Sequence, residues 1–310
     1  MTNMIRTAVI PSAGLGTRLL PATKQQPKEM LPVFTKTPKG EILLKPIIQV
    51  VYEQLYNVGL REFLFIVGRG KRSIEDHFTP DNEFMERLEK RHLVEQMEQF
   101  YRKVQSSNIV FINQPEPLGF GDAVLRAKPF TSNNPFIVHA GDDLIFSRNI
   151  SECFQRLMRT LDDATDAVFF VQKVKDPKNY GVVEGDRIGA GIYRIKHVEE
   201  KPRRPRSRIS IVALYAFNYK IYHYLEKMRA YHERELQLTD AIEELIKDGG
   251  RVYALELNSN ITRIDVGTPS SYWNALKATM REGLRTALWR STESATPTYL
   301  ISSPIRSTFA

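Results

Sequence analysis

Apolar residues in this chain fall into short, nearly continuous runs separated by longer stretches with helical spacing. Thr7–Pro11 (TAVIP), Phe63–Gly68 (FLFIVG), Asn108–Asn113 (NIVFIN), Asn134–Ala140 (NPFIVHA) and Ala167–Val174 (AVFFVQKV) are the runs. They are too short for buried helices and too uniformly apolar for strands with one wet face, so they predict strands covered on both sides. Between the first two lies PIIQVVYEQLYNVG, with Pro46 at its start, apolar residues at Ile47, Ile48, Val51 and Leu55, and Gly59 just past its end. That is the spacing of a helix feeding a strand. Lys71–Phe78, Asn82–Gln105 and Ser151–Leu161 predict further helices, the second a charged face over a stripe of Phe84, Leu88 and Met97. Strand and helix in alternation predict a three-layer α/β/α fold around a largely parallel sheet.

The texture changes along the chain. Thr35–Lys45 is polar with a turn at Gly40, and from Tyr180 to Asn218 the segments YGVVEG, GIYRIKHVEE and RISIVALYAFN are short, β-rich and separated by glycines or basic loops. This part predicts a mixed β-rich lobe suited to a second ligand. The aromatic series Tyr215, Phe217, Tyr219, Tyr222 and Tyr224 predicts core or a subunit contact. Glu235–Lys247 predicts a helix stopped by Gly249 and Gly250, VYALEL a strand, and Thr262–Pro269 a strand end leading into a helix to about Gly283. The expected division is one domain over 1–284, with a nucleotide-binding part to about 166, a sugar-phosphate part over about 167–268, and a C-terminal helix. The segment 285–310, with 10 Ser or Thr among its 26 residues, predicts a loosely ordered tail.

Composition narrows the partners. Forty-four basic and 36 acidic residues leave a formal charge of +8, which favours anions. Most of these charges are interleaved, and only Lys201–Arg208 (KPRRPRSR) forms a concentrated patch. With no recognition module beside it, nucleic acid is not the expected partner. No apolar stretch reaches the ~18 residues of a membrane span, and a single cysteine, Cys153, excludes intrachain disulfides. A cytoplasmic protein is expected.

The chemistry concentrates in TAVIPSAGLGTRLLPATKQQPKEMLP, residues 7–32. Gly14 and Gly16 predict positive φ and backbone amides turned toward an anion, and Arg18 and Lys28 add fixed positive charge. Pro21, Pro27 and Pro32 stiffen the chain between the two cations. The spacing excludes a dinucleotide fingerprint, which needs a small residue at Leu19, and a Walker A loop, which needs Gly-Lys-Ser/Thr. Strand ends elsewhere carry Gln114 before a Pro- and Gly-rich loop, Asp142 and Asp265, and open α/β sheets bind ligands at that edge. If the first loop holds a triphosphate, the two aspartates suit Mg²⁺, which takes one or two carboxylates beside phosphate oxygens and water. His139 adjoins Asp142, but a structural role is expected for it.

The same strings, the ending Pro-Lys-Glu-Met-Leu-Pro above all, resemble the sugar nucleotidyltransferases, in particular the bacterial and archaeal UTP–glucose-1-phosphate uridylyltransferases. The resemblance covers about Thr7 to Arg281 and implies a Rossmann-like nucleotidyltransferase fold with a mixed central sheet and a β-rich sugar-binding lobe. It implies Mg²⁺-dependent transfer of a uridylyl group from UTP to glucose 1-phosphate, by in-line attack of the sugar phosphate on the α-phosphate. Arg18 and Lys28 would be catalytic, and Ala13, Gly14, Gly16, Thr17, Gln114 and Gly119 would bind the nucleotide, with Gln114 reading the uracil edge. Gly181 and Glu200, in Tyr180–Val183 and Glu199–Pro202, would bind sugar hydroxyls, Lys201 the sugar phosphate, and Asp142 with Asp265 the metal. Self-association as a dimer or tetramer is expected.

The sequence departs from the family pattern at Ser12, Ala213 and Arg234, which bears on the identity of the sugar. Uracil and thymine differ by one methyl, worth only ~1–3 kcal/mol in an apolar pocket, so TTP stands as the alternative nucleotide and N-acetylglucosamine 1-phosphate as the alternative sugar. A non-catalytic sugar-nucleotide-binding subunit is the rival from another class; Arg18, Lys28, Asp142 and Asp265 together argue against it.

Overall fold

The computed structural model describes residues 5–290, apart from 38, 90–94, 148, 232–234 and 259. Arg234 and most of the expected tail, 291–310, therefore lie outside the described residues.

The apolar runs form the strands expected of them. In chain order the first half contains β1 (Thr7–Pro11), the hairpin β2 (Pro32–Lys36) and β3 (Ile42–Pro46), α1 (Ile47–Asn57), β4 (Glu62–Gly68) and α2 (Arg72–His77). It continues with α3 (Asn82–Glu89), α4 (Glu95–Gln105), β5 (Asn108–Gln114), α5 (Phe120–Arg126), α6 (Lys128–Thr131) and β6 (Phe136–His139). The polar excursion at 35–45 is thus a hairpin, turned at Gly40 with φ 97°. The second half holds β7 (Asp143–Phe146), α7 (Ile150–Thr160), β8 (Ala167–Lys173), β9 (Gly181–Gly189), β10 (Ile192–Glu200) and β11 (Ile209–Phe217). It ends with α8 (Ile221–Tyr231), α9 (Leu238–Lys247), β12 (Val252–Glu256), β13 (Thr262–Asp265) and α10 (Pro269–Arg290), the last running past the expected stop near Gly283.

Nine strands form one mixed sheet in the order β5-β4-β1-β6-β11-β8-β12-β10-β9. β5, β4, β1 and β6 are parallel, while β11 runs antiparallel to both β6 and β8. The β-rich stretch joins this same sheet: β11 inserts at its centre and the β9–β10 pair closes one end. Chain order reverses direction at β1, which has β4 on one side and β6 on the other, so the crevice above their carboxyl ends is a topological switch point.

Apolar residues cover both faces of the central strands, which is why β1, β6 and β11 need no wet side, whereas β5 and the β9–β10 pair at the two ends keep exposed positions. One layer packs α5, α8 and α9 through Val124, Leu225 and Ile242, and the opposite layer packs α1, α4 and α7 through Ile48, Phe100 and Phe154. Tyr215, Phe217 and Tyr222 belong to the first layer, so these members of the aromatic series are core, whereas Tyr219 is exposed. A third, smaller cluster joins Leu19, Leu31, Val33, Leu144, Val266 and Ala275. It ties α10 and the β2–β3 hairpin to the residues beside Arg18 and Asp265. Burial of Leu19 and Val266, each worth roughly 1.5–3 kcal/mol, anchors the backbone on which those two side chains stand. Among the described residues, no helix is long and apolar enough to cross a membrane.

Candidate active site

The loop after β1 bends over the switch point. Its geometry separates the two glycines: Gly16 takes a left-handed φ of 66°, but Gly14 does not adopt positive φ, contrary to expectation. A Cβ on Gly14 would instead stand 3.8 Å from Lys28 Cε and Nζ. Thr23 Oγ1 donates to the Gly16 carbonyl at 2.7 Å, and Leu19 N–H closes a turn on the same oxygen at 3.0 Å. Among the described residues the backbone N–H groups of Gly14, Leu15, Gly16, Thr17 and Arg18 have no acceptor. The exposed Arg18 guanidinium likewise has no described acidic partner. A run of free amides beside an unpaired guanidinium is an anion-binding cradle.

Lys28 leads a short 3-10 turn, Lys28–Met30, and its ammonium donates to Asp142 Oδ2. Burial works against its charge, but Asp142 beside it raises the Lys28 pKa above its ordinary value. Conversely, burial opposes ionisation of Asp142, and Lys28 overrides that to hold the carboxyl below the usual range. Glu29, the next residue, also borders the cleft but is buried, and accepts from Lys71 Nζ at 2.8 Å. Burial pushes the Glu29 carboxyl up, with Lys71 opposing.

The turn between β6 and β7 brings Asp142 to the cleft. Its Gly141 N–H bonds the Pro11 carbonyl at 3.2 Å, and a Cβ at Gly141 would run into the Ser12 hydroxyl. β7 pairs antiparallel with β13, setting Asp143 opposite Asp265, while the Val266 N–H donates to the Asp142 carbonyl at 3.1 Å. Asp143 is gripped by Arg263, whose Nε and Nη2 lie 2.8 Å from its two carboxylate oxygens. Asp265 accepts no hydrogen bond among the described residues. Burial and the nearby charges of Asp142 and Asp143 push its carboxyl up to about 6.

A cleft of about 380 Å³ is lined by Ala13, Gly14, Gly16, Thr17, Arg18, Lys28, Gln114, Gly119 and Asp142, all predicted from sequence, together with Glu235 and Gly267. Gln114 ends β5 and donates from Nε2 to the Gly119 carbonyl at 3.1 Å and to Asp122 Oδ2 at 2.7 Å. Gly119 has φ 108°, and a Cβ there would collide with the Leu236 backbone. The need for glycine at that point is accordingly close packing of the loop on residue 236.

Of the three residues expected to bind the sugar phosphate, Glu200 and Lys201 line a neighbouring concavity and Gly181 is not among its lining residues. This second hollow shares Glu235 with the first. Glu200 Oε2 accepts from Thr239 Oγ1 at 3.0 Å and Oε1 from Lys201 Nζ at 3.1 Å. A Cβ on Gly181 would stand 2.9 Å from Thr239 Cγ2 and 3.2 Å from Glu200 Oε2, so the glycine leaves room for that pair. Lys201 adopts a left-handed φ of 43°, a strain held by its N–H bond to the Tyr180 carbonyl at 3.1 Å. Tyr180 in turn lies under the Arg263 guanidinium, 5.6 Å from ring centroid to carbon. A chain of contacts thus runs from Lys201 through Tyr180 and Arg263 to Asp143, the neighbour of Asp142.

Several residues escaped the sequence reading. Arg263, Asp122 and Glu235 sit within strings of interest, but nothing in their spacing separates them from surface charges. His139 is fully buried, with Nδ1 2.9 Å from the Ala140 carbonyl and its ring stacked on Phe154, in keeping with a structural role. Among the described residues no three His, Cys, Asp or Glu side chains converge as a metal-binding cluster. Asp142 lines the cleft, and Asp265, which is not among the lining residues, lies near enough for the two carboxylates to repel each other. That fits a hard cation which draws its remaining ligands from phosphate and water.

Residues 7–282 match the sequence pattern of the nucleotidyl transferase family. A UTP–glucose-1-phosphate uridylyltransferase of Streptococcus pyogenes is 38% identical over 270 residues, 85% of this chain and 86% of that protein. Among solved structures, an apo UDP-glucose pyrophosphorylase superposes with a TM-score of 0.79 at 26% identity, covering 90% of this chain and 99% of that one. A UDP-glucose pyrophosphorylase complexed with UDP-glucose gives 0.76 at 26% identity, covering 90% and 100%.

Proposed function

Because the chain belongs to the nucleotidyl transferase family, we propose that it is a UTP–glucose-1-phosphate uridylyltransferase, making UDP-glucose and pyrophosphate. The observation that carries this reading is the convergence, in one cleft at the β1 switch point, of five free backbone amides, Arg18, and the Lys28–Asp142 pair beside Asp265. A site for transferring a neutral or weakly charged group has no use for so much fixed charge of both signs.

In this reading the amides of residues 14–18 and the Arg18 guanidinium hold the β- and γ-phosphates and receive the charge that builds on departing pyrophosphate. Lys28 stands over the α-phosphate. Its ammonium, kept protonated by Asp142, neutralises a phosphoryl oxygen as the sugar phosphate approaches. The nucleophile, an oxygen of glucose 1-phosphate, is already an anion, so no general base is needed and the barrier is chiefly repulsion between polyanions. Glu200 and the backbone at Gly181 orient the sugar hydroxyls, and Lys201 draws in its phosphate. The bond from that oxygen to the α-phosphorus forms as the bond to the bridging oxygen of pyrophosphate breaks on the opposite side.

Asp142 and Asp265 would hold Mg²⁺, which when bound supplies a Lewis acid for the triphosphate oxygens and relieves the repulsion between the two carboxylates. The buried thiol of Cys153 and the lack of any disulfide suit a reducing, cytoplasmic setting.

Pyrophosphate release measured for UTP, TTP, GTP and CTP against glucose 1-phosphate and N-acetylglucosamine 1-phosphate, with and without Mg²⁺, tests the proposal. The expected best pair is UTP with glucose 1-phosphate in Mg²⁺. Absence of turnover with every pair would overturn it.

A further inference from the structure

Gln114 can face the cleft in only one way. Its Nε2 lies 2.7 Å from Asp122 Oδ2 and 3.1 Å from the Gly119 carbonyl oxygen. A backbone carbonyl has no hydrogen to give, and a carboxylate paired with arginine accepts only. Asp122 Oδ2 also takes a bond from Arg126 Nε at 2.9 Å, and Arg229 Nη1 stands 3.8 Å from the other oxygen. Turning the amide over would press Gln114 Oε1 against two acceptors in a buried setting, where an unmade or repulsive contact costs most. The amide nitrogen is therefore fixed inward and both its hydrogens are spent. Gln114 Oε1 receives no hydrogen bond from any described residue, and Gln114 lines the cleft. What the cleft is offered is an acceptor.

An acceptor at that position discriminates among bases by one atom. Uracil and thymine carry a hydrogen on N3 and can donate to it. Cytosine, with the same ring size, has a bare N3 whose lone pair would meet that of Oε1. We propose that Asp122 is a positioning residue that sets base selectivity: by holding the Gln114 amide in one orientation, it makes the site accept a pyrimidine with an N3–H and reject cytosine. The inference rests on the reading of Gln114 as the base-facing residue.

Asp122 is built for this work. It is 1% exposed, lies in the first turn of α5, and is fixed from the next turn by Arg126. The turn itself is pinned by the Gly121 N–H on the Leu236 carbonyl at 2.8 Å, and the loop before it by the Leu236 N–H on the Leu118 carbonyl at 2.7 Å. Together these contacts hold Asp122 relative to the end of β5. The resemblance implied only that Gln114 reads the base edge; the structure engages both amide hydrogens and leaves an acceptor.

Two substitutions separate this role from simple structural support. Asp122→Asn keeps an oxygen that Arg126 holds toward Gln114, so the amide stays fixed. Asp122→Ser substitutes a shorter hydroxyl that can donate or accept, so of the two acceptors that oppose the turned-over amide only the Gly119 carbonyl remains, and the flipped face becomes accessible. Binding of UTP and of CTP is measured by calorimetry without sugar phosphate, and kcat/KM for both with it. The wild type should prefer UTP, Asp122→Asn should retain most of that preference, and Asp122→Ser should lower the UTP:CTP ratio about tenfold or more. An unchanged ratio in Asp122→Ser, or equal loss for both nucleotides, would overturn the proposal. Should Asp122→Ser fail to fold, Gln114→Met provides the second reading: without the acceptor the ratio should fall close to one, and retention of the preference would overturn it. Because binding is read separately, failure of the transfer reaction would sink the functional reading while leaving the selectivity test intact.

Discussion

Lys28 and Asp142, separated by 114 positions in sequence, form an ion pair on the floor of the cleft, with side-chain exposures of 17% and 14%. Burial opposes charge on both groups, and each holds the other charged. In the proposed reaction the triphosphate would pair with Lys28 and a metal with Asp142, so the ion pair would open on binding.

Lys28→Ala should lower kcat by about a hundredfold or more, the scale of losing one preorganised charge aimed at a transition state. Nucleotide binding, which the 14–18 amides and Arg18 still support, should weaken far less. Parallel measurement of kcat and of the UTP dissociation constant checks this. Equal losses in both would mean that Lys28 only binds.

Beneath the site, Glu29 and Lys71 are paired at 2.8 Å with side-chain exposures of 1% and 7%. Lys71→Met leaves a buried carboxyl without its partner and should destabilise the fold by about 3–5 kcal/mol. The double substitution Glu29→Leu with Lys71→Met should recover much of that loss. Urea denaturation of the two single variants and the double variant measures the coupling.

His77 gives the fold a pH dependence of known sign. Its Nε2 lies 3.0 Å from Gln49 Oε1 and its ring stacks on Phe100; burial pushes its pKa down to about 4, against the opposing pull of Glu53. Between that value and about 6.5, the unfolded chain binds the proton and the native state does not. The stabilisation is complete above about 6.5 and is lost as pH falls toward 4, by up to roughly 3 kcal/mol. Urea midpoints at pH 7 and pH 4.5 should converge in His77→Gln relative to wild type. An identical slope in both proteins would remove His77 from the account.

The strands that build the site were legible because β1, β4 and β6 are buried on both faces, and such runs tolerate few polar residues, while β5, at the sheet edge, kept the same apolar run although it is only partly buried. Residues 7–32 were legible for a different reason, since glycine, arginine, lysine and three prolines rarely serve a plain turn in that order. Sequence could not assign Asp142 and Asp143 their different partners. Adjacent residues at a strand start point to opposite sides, so one meets Lys28 and the other Arg263, and only the pairing of β7 with β13 decides which. Gly14 was expected to take positive φ, which it does not, and Gly119 to bind the nucleotide; the structure shows what each lies against. The first borders Lys28 and the second clears the backbone at Leu236, and such clearances depend on chain segments far away in sequence. The role of Asp122 was hidden for the same reason: a carboxylate in a helix's first turn is commonplace until the amide it holds is seen.

Transfer of a uridylyl group by attack at the α-phosphorus, as proposed, has a product balance that can be followed directly. Phosphorus NMR of the wild-type protein with UTP, glucose 1-phosphate and Mg²⁺ tests it most directly. The expected result is UDP-glucose and pyrophosphate appearing in equal amounts as UTP and glucose 1-phosphate disappear. Accumulation of UDP and inorganic phosphate, or an unchanged spectrum, would contradict it.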